Sequence, residues 1–206
     1  MIPFVNAPFV GTFTGQQISL NDVDPDKIDI IDIAVGLANQ CRYAGQVWPF
    51  YSVAEHSVIV SHMVEAGHPS KKLRLKALLH DAPEFILGDI IRPVKARIVH
   101  YDVLEERVMT AVSKKYDLTY SKSDWDEIKK RDNLITVSER RKLMPRLDRG
   151  SYGTSVVEAD VPNMRFVCMT PPKAVIAFLD RFWSLSGSHP TTEQAKLITM
   201  IKETAQ

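Results

Sequence analysis

At 206 residues, with 45 % hydrophobic and 25 % charged residues, the chain is long enough for one domain with a sizeable core and too ordinary for a disordered or fibrous protein. Its formal net charge of +1 offers no basic excess to neutralise a phosphate backbone, so no nucleic-acid partner is expected. Cys41 and Cys168 are far apart and outside any CxxC pair, Met1-Ile2-Pro3-Phe4 is no signal peptide, and no apolar run spans a membrane; a cytoplasmic protein without a membrane partner is expected.

In chain order, alternation around a glycine turn from Phe9 to Leu20 predicts a small β-hairpin, centred on Phe13–Leu20. Asp22 to Asp26, with Pro25, reads as a cap region before a helix beginning near Lys27, whose apolar stripe is Ile30, Ile33, Ala34, Leu37 and Ala38. Arg42 to Tyr51 is a loop by its Gly and Pro, rich in aromatics and suited to the rim of a site that holds a planar, charged ligand. The bland alternative is that Trp48, Phe50 and Tyr51 simply cover the core. A second helix starts at Ser52 or Val53, with His56, Val60 and Met63 on one face and His62 on another. His68 falls in a turn and is given no role.

A third helix runs from Ser70 to Leu79 and ends or bends near Glu84 to Leu87, because Pro83 and Gly88 interrupt it. Residues 88–95 read as a loop or short helix, and 101–116 as a helix. Ser123 is the expected N-cap of a helix towards Met144, with acidic residues in its first turn and Ile128, Asp132 and Ile135 on one face. The runs Lys129-Lys130-Arg131 and Arg140-Arg141-Lys142 read as solvated helix faces. An irregular connection over 145–170 leads to a helix opened by Pro171-Pro172 and a last helix from about Thr192. The expectation is a mostly α, single-domain helical bundle over 1–206, with its core at about 27–145 and C-terminal helices at 171–204 packed on it.

The chemistry centres on Leu78-Leu79-His80-Asp81-Ala82-Pro83-Glu84. An imidazole beside a carboxylate at the end of an apolar helix is costly unless a cation compensates it. One His-Asp dipeptide is most simply coincidence, but His56 upstream and Asp132 downstream supply the further ligands a divalent ion needs. Two imidazoles and two carboxylates suit Mn²⁺, Co²⁺, Zn²⁺ or Fe²⁺ and leave positions for water and substrate. Such an ion acidifies water and polarises a phosphoryl oxygen, and Glu84, one turn beyond Asp81, could orient or deprotonate that water.

The order His56, His80-Asp81, Asp132 resembles the HD-domain metal-dependent phosphohydrolases, an all-α superfamily. More narrowly, Tyr51-Ser52-Val53-Ala54-Glu55-His56, then His80-Asp81-Ala82-Pro83-Glu84, Gly88-Asp89 and Pro93-Val94-Lys95, is similar to two groups. One is the bacterial 5′-deoxynucleotidases; the other is the dATP triphosphohydrolases of phages whose genomes carry 2-aminoadenine. The resemblance covers roughly residues 13–145.

It implies metal ligation by His56, His80, Asp81 and Asp132, with Glu84 as catalytic acid or base. It implies that Asp89 bonds the deoxyribose or positions the attacking water, and with the packed aromatics excludes a ribose 2′-hydroxyl. Arg42 would meet phosphate, Tyr43 would stand near sugar and base, and Ile91 and Pro93 would line the base pocket. Relatives carry Arg followed directly by Trp where this chain has Arg42-Tyr43, which leaves the base contact open. Lys95 and Lys129 stand where the triphosphohydrolases place phosphate-binding lysines, and with Arg42 make the cradle a triphosphate needs. The hairpin also looks viral.

The favoured expectation is therefore hydrolysis of dATP to deoxyadenosine and triphosphate, depleting dATP during phage infection in the host cytoplasm. The alternative is a 5′-deoxynucleotidase acting on dAMP, and a different class is a metal-binding module without turnover. The cofactor expected is Zn²⁺, Co²⁺ or Mn²⁺, with room for a second Mg²⁺ or Co²⁺ on the phosphates. A homo-oligomer, dimer or hexamer, is implied by the resemblance alone.

Overall fold

The computed structural model describes residues 9–67, 70–144 and 160–205, with 65–67 as backbone only; the turn expected at His68 and much of the connection expected over 145–170 lie outside them. The described chain is mostly helical with one antiparallel hairpin, as the periodicity predicts. In the hairpin, β1 (Phe9–Gly11) pairs with β2 (Gln17–Ser19), and Val10 lies opposite Ile18. Gly15, at φ 85°, supplies the left-handed turn residue that a side chain would resist. Ile18 is wholly buried, and Thr14 donates its N–H and hydroxyl to the buried Asp32 carboxylate, each at 2.7 Å. Those contacts seat the hairpin on the helices.

Helix α1 (Ile30–Ala38) starts three residues later than the sequence suggests. Asp29 takes an extended backbone and caps it, accepting from the Ile31 N–H at 2.8 Å, while Pro25–Lys27 closes into a separate 3₁₀ turn capped by Asp24. The whole predicted stripe, Ile30, Ile33, Ala34, Leu37 and Ala38, is buried.

Helix α2 (Val53–Gly67) packs against α1, α3 (Lys71–Leu78), α7 (Lys122–Leu143) and α8 (Pro171–Ser186), and is the centre of the bundle. Because neighbours surround it, even its polar residues Glu55, His56, Ser57 and Ser61 are buried. Such groups need partners. Glu55 accepts the N–H groups of Val167, Cys168 and Met169 at 3.0, 3.0 and 2.7 Å, which pins the stretch before α8 onto α2.

Helix α3 is capped by Ser70 and stops at Leu78, so His80 and Asp81 sit in a turn and not on the helix. The chain resumes as the short α4 (Glu84–Leu87), and Gly88 at φ 87° turns it away. Gly36 of α1 makes this possible: a Cβ there would lie 2.6 Å from the Phe85 carbonyl oxygen. Next come α5 (Arg92–Lys95) and α6 (Tyr101–Lys115). Helix α7 is capped by Ser121 through a capping box with Asp124, two residues ahead of the expected Ser123. Ala174, Val175, Phe178, Leu179 and Phe182 of α8 close the core over α1, α2 and α3, and α9 (Thr192–Glu203) packs on α8. Among the described residues, no helix is long and apolar enough to cross a membrane.

Candidate metal centre and its cleft

Three elements bring four side chains to one corner. The first turn of α2 carries His56, the turn after α3 carries His80 and Asp81, and the middle of α7 carries Asp132. His56 Nε2 lies 3.2 Å from Asp132 Oδ1 and 3.6 Å from Asp81 Oδ2, and His80 Nε2 lies 3.2 Å from Asp81 Oδ2. His56, His80 and Asp81 each offer a ligand atom within 4.8 Å of the others, a group that can hold a metal ion.

The hydrogen bonds on the far side of each ring fix which nitrogen is free. His56 Nδ1 lies 2.7 Å from Glu139 Oε1, and His80 Nδ1 lies 2.8 Å from the Ala77 carbonyl oxygen. A carbonyl and an ionised carboxylate can only accept, so both Nδ1 atoms carry a proton, and in the neutral ring each Nε2 presents a lone pair. Those two Nε2 atoms are buried without a hydrogen-bond partner, and what they face is carboxylate. Lone pairs turned towards anions in a buried corner repel unless a cation stands between them. The donor set therefore fits a divalent ion.

The electrostatics express the same demand. Burial and the Arg42 charge press His56 towards neutrality, yet Glu139 and Asp132 outweigh them and raise its pKa to about 9. Burial would raise Asp81, but His80 and His56 hold it at about 2, and His56 keeps Asp132 well below the carboxylate range against the same push.

Around this corner opens a cleft of about 1330 Å³. The catalytic and substrate-binding candidates line it: Glu84, Asp89, Arg42, Tyr43, Ile91, Pro93, Lys95 and Lys129. Glu84 is buried with Oε2 unpartnered; burial first, then the charges of Asp81 and Asp89, pushes its pKa well up and favours the protonated acid. Asp89 accepts from the Tyr43 N–H at 3.1 Å, and burial raises it too. Arg42 lies 3.7 Å from Asp81 and 3.3 Å from Glu139, the anionic partners its burial requires. Lys95 Nζ is 2.5 Å from Glu105 Oε1, whereas Lys129 is exposed. Of the loop aromatics, Tyr51 is fully buried and covers the core, Phe50 is half-buried and Trp48 is 84 % exposed.

Two residues escaped the sequence reading. Glu139 is fully buried, and its two oxygens accept from the Tyr51 hydroxyl (2.8 Å), His56 Nδ1 (2.7 Å), the Tyr43 hydroxyl (2.5 Å) and Arg42 Nε (3.3 Å). Burial would raise it, but Arg42 and His56 keep it at about 2. Its signal was positional: it lies seven residues beyond Asp132 and four beyond Ile135, on the same stripe of α7. Gln40 donates to the Glu84 carbonyl and accepts from the Asp89 N–H, both at 2.7 Å, and so ties the two acids' backbones together. Nothing in the spacing announced it.

No protein-family model matches the chain. Over 110 residues it is 44 % identical to the uncharacterized protein RCAP_rcc00048 of Rhodobacter capsulatus, an alignment covering 51 % of this chain and 56 % of that protein. Over 179 residues it is 34 % identical to the uncharacterized protein YfdR of Escherichia coli K12, covering 86 % of this chain and 96 % of the relative. At that identity over nearly the whole of both proteins, the chain belongs to the family of YfdR.

Proposed function

We propose that this protein is a metal-dependent phosphohydrolase of deoxynucleotides, acting on dATP and water to give deoxyadenosine and inorganic triphosphate. The observation that carries the reading is the pair of buried, unpartnered imidazole nitrogens facing Asp81 and Asp132 on the wall of a cleft that also holds an unpartnered acid. A divalent ion held by His56, His80, Asp81 and Asp132 (Zn²⁺, Co²⁺ or Mn²⁺ by the chemistry of the donors) would acidify water and withdraw charge from a phosphoryl oxygen.

The chain's own residues supply the rest. Water adds to the α-phosphorus as the bond from phosphorus to the 5′-oxygen breaks. Glu84, whose burial raises its pKa and favours the protonated carboxyl, gives its proton to that departing oxygen and recovers one from the added water. Arg42, oriented by Glu139, faces the phosphate, and Lys95 and Lys129 line the same cleft where further phosphates would extend. Asp89, held by Tyr43 and Gln40, stands beside Glu84 to meet the sugar or the water.

One observation favours a second reading, a 5′-deoxynucleotidase releasing orthophosphate from dAMP. Lys95 is paired with Glu105 and Arg42 with two carboxylates, a charge balance closer to one phosphate than to three. Chromatography of products from all dNTPs and dNMPs, with Mn²⁺ or Co²⁺ added, decides: triphosphate from dATP supports the first reading and orthophosphate from dAMP the second. No product from either panel would reduce the protein to a metal-binding module.

A further inference from the structure

The cleft reaches past the metal corner to an aromatic surface that the catalytic reading leaves unused. Trp125 and Tyr120 stack with ring centroids 4.6 Å apart and planes 17° from parallel, and both line the cleft. Tyr120 is fixed from behind, with its hydroxyl donating to the Lys76 carbonyl at 3.2 Å and Lys76 Nζ 5.6 Å from its ring centre. Trp125 is half-buried and is not among the residues packed into the core clusters. What anchors Tyr120 therefore presents Trp125 as a flat, preset platform.

Its position along α7 carries the argument. Trp125, Lys129 and Asp132 follow at i, i+4 and i+7, and all three line the cleft, so they form one row on one face of the helix. At 1.5 Å per residue, Trp125 and Asp132 are separated by about 10 Å along the axis, with the Lys129 cation between them. Aromatic plane and metal-facing carboxylate, about 10 Å apart along the row, suit the base and the reacting α-phosphorus of a deoxynucleotide, and the Lys129 cation on the same row can meet the phosphates that follow. Tyr43 is less able to take a base on its ring, because the Arg42 and Arg140 guanidinium groups already stand 5.2 and 5.5 Å from its centre.

We infer that the nucleobase of the bound deoxynucleotide stacks on Trp125, so that the ligand lies along α7 with its reacting phosphorus at Asp132. This rests on the phosphohydrolase reading and adds the ligand's direction and its base contact. A stacked base accounts for recognition through an aromatic face that all bases share.

Steady-state kinetics and a binding titration test it separately. Trp125→Ala should raise KM for dATP about tenfold while kcat changes less than about threefold, and Trp125→Phe should stay within about threefold of wild type in both. In a Trp48→Phe/Trp183→Phe background, where Trp125 is the remaining tryptophan, dATP should quench its fluorescence and inorganic triphosphate should not. An unchanged KM in Trp125→Ala, with a melting profile showing that variant folded, overturns the stacking and leaves the hydrolase reading intact. Should no deoxynucleotide be turned over, the titration alone decides: quenching by dATP and not by triphosphate keeps the platform, and no quenching, or equal quenching by both, removes it.

Discussion

Glu139 holds four donors in a place where water does not reach, and its loss has two separable consequences. In Glu139→Ala, Arg42 is left buried with only the more distant Asp81 for charge, which should destabilise the fold by about 3–5 kcal/mol in urea unfolding. The His56 ring also loses the acceptor that turns Nε2 towards the corner, so Mn²⁺ or Co²⁺ affinity, measured by calorimetry, should fall about 10–100-fold. Glu139→Gln keeps an oxygen for His56 but no charge for Arg42, and should lose stability more than metal affinity. Asp81→Ala removes one of the proposed ligands and should abolish turnover and bound metal together; appreciable activity in that variant would contradict the ligand assignment. That these side chains would converge was legible, because a His-Asp pair closing an apolar helix, with His56 and Asp132 as companions, suits little besides a shared cation. Glu139 was not, since Ser138-Glu139-Arg140-Arg141 reads as a solvated charge run until α2 and the Arg42 loop are laid against it.

At the scale of elements, the close approach of α1 and α4 decides where Glu84 stands. Gly36→Ala would drive a methyl group to 2.6 Å from the Phe85 carbonyl oxygen and 2.9 Å from its Cα, both backbone atoms that cannot swing aside. It should cost about 1–3 kcal/mol in denaturant unfolding and lower kcat as well, because α4 carries Glu84, the acid of the proposed reaction. Helix periodicity gave α1, α2, α3 and α8 nearly whole, since each buries one apolar stripe or is buried all round. The starts of α1 and α7 were less legible. At Asp29 and Ser121 the side chain that caps competes with near neighbours, Asp26 and Ser123, and backbone geometry selects between them. The end of α3 at Leu78 likewise follows from packing, which turns His80 and Asp81 out of the helix towards His56.

For the molecule as a whole, acid and metal should act on stability in ways that can be told apart. Lys76 of α3 meets Asp124 of α7 at 2.7 Å; burial would raise that carboxyl, but Lys76 and the Ser121 N–H and hydroxyl hold it at about 2, below its ordinary 3.8. A depressed folded pKa gives stability that is fully present above about pH 4 and is lost as pH falls towards 2. Wild type and Asp124→Asn should therefore differ in thermal midpoint at neutral pH and converge in acid. A divalent ion that binds only the folded corner should raise the midpoint with concentration, and a chelator should reverse it, at neutral pH in both proteins.

The sequence by itself determined the helical class, the hairpin, the buried stripes and the His56, His80 and Asp81 group that can hold an ion, because those follow from periods of two and 3.6 and from residue chemistry. Only the tertiary structure decided that α2 runs through the centre, that Glu139 and Gln40 hold the acids and imidazoles in place, and that Trp125 shares a cleft with them. Such contacts join residues up to about a hundred positions apart, and no local pattern records a distance that packing alone creates.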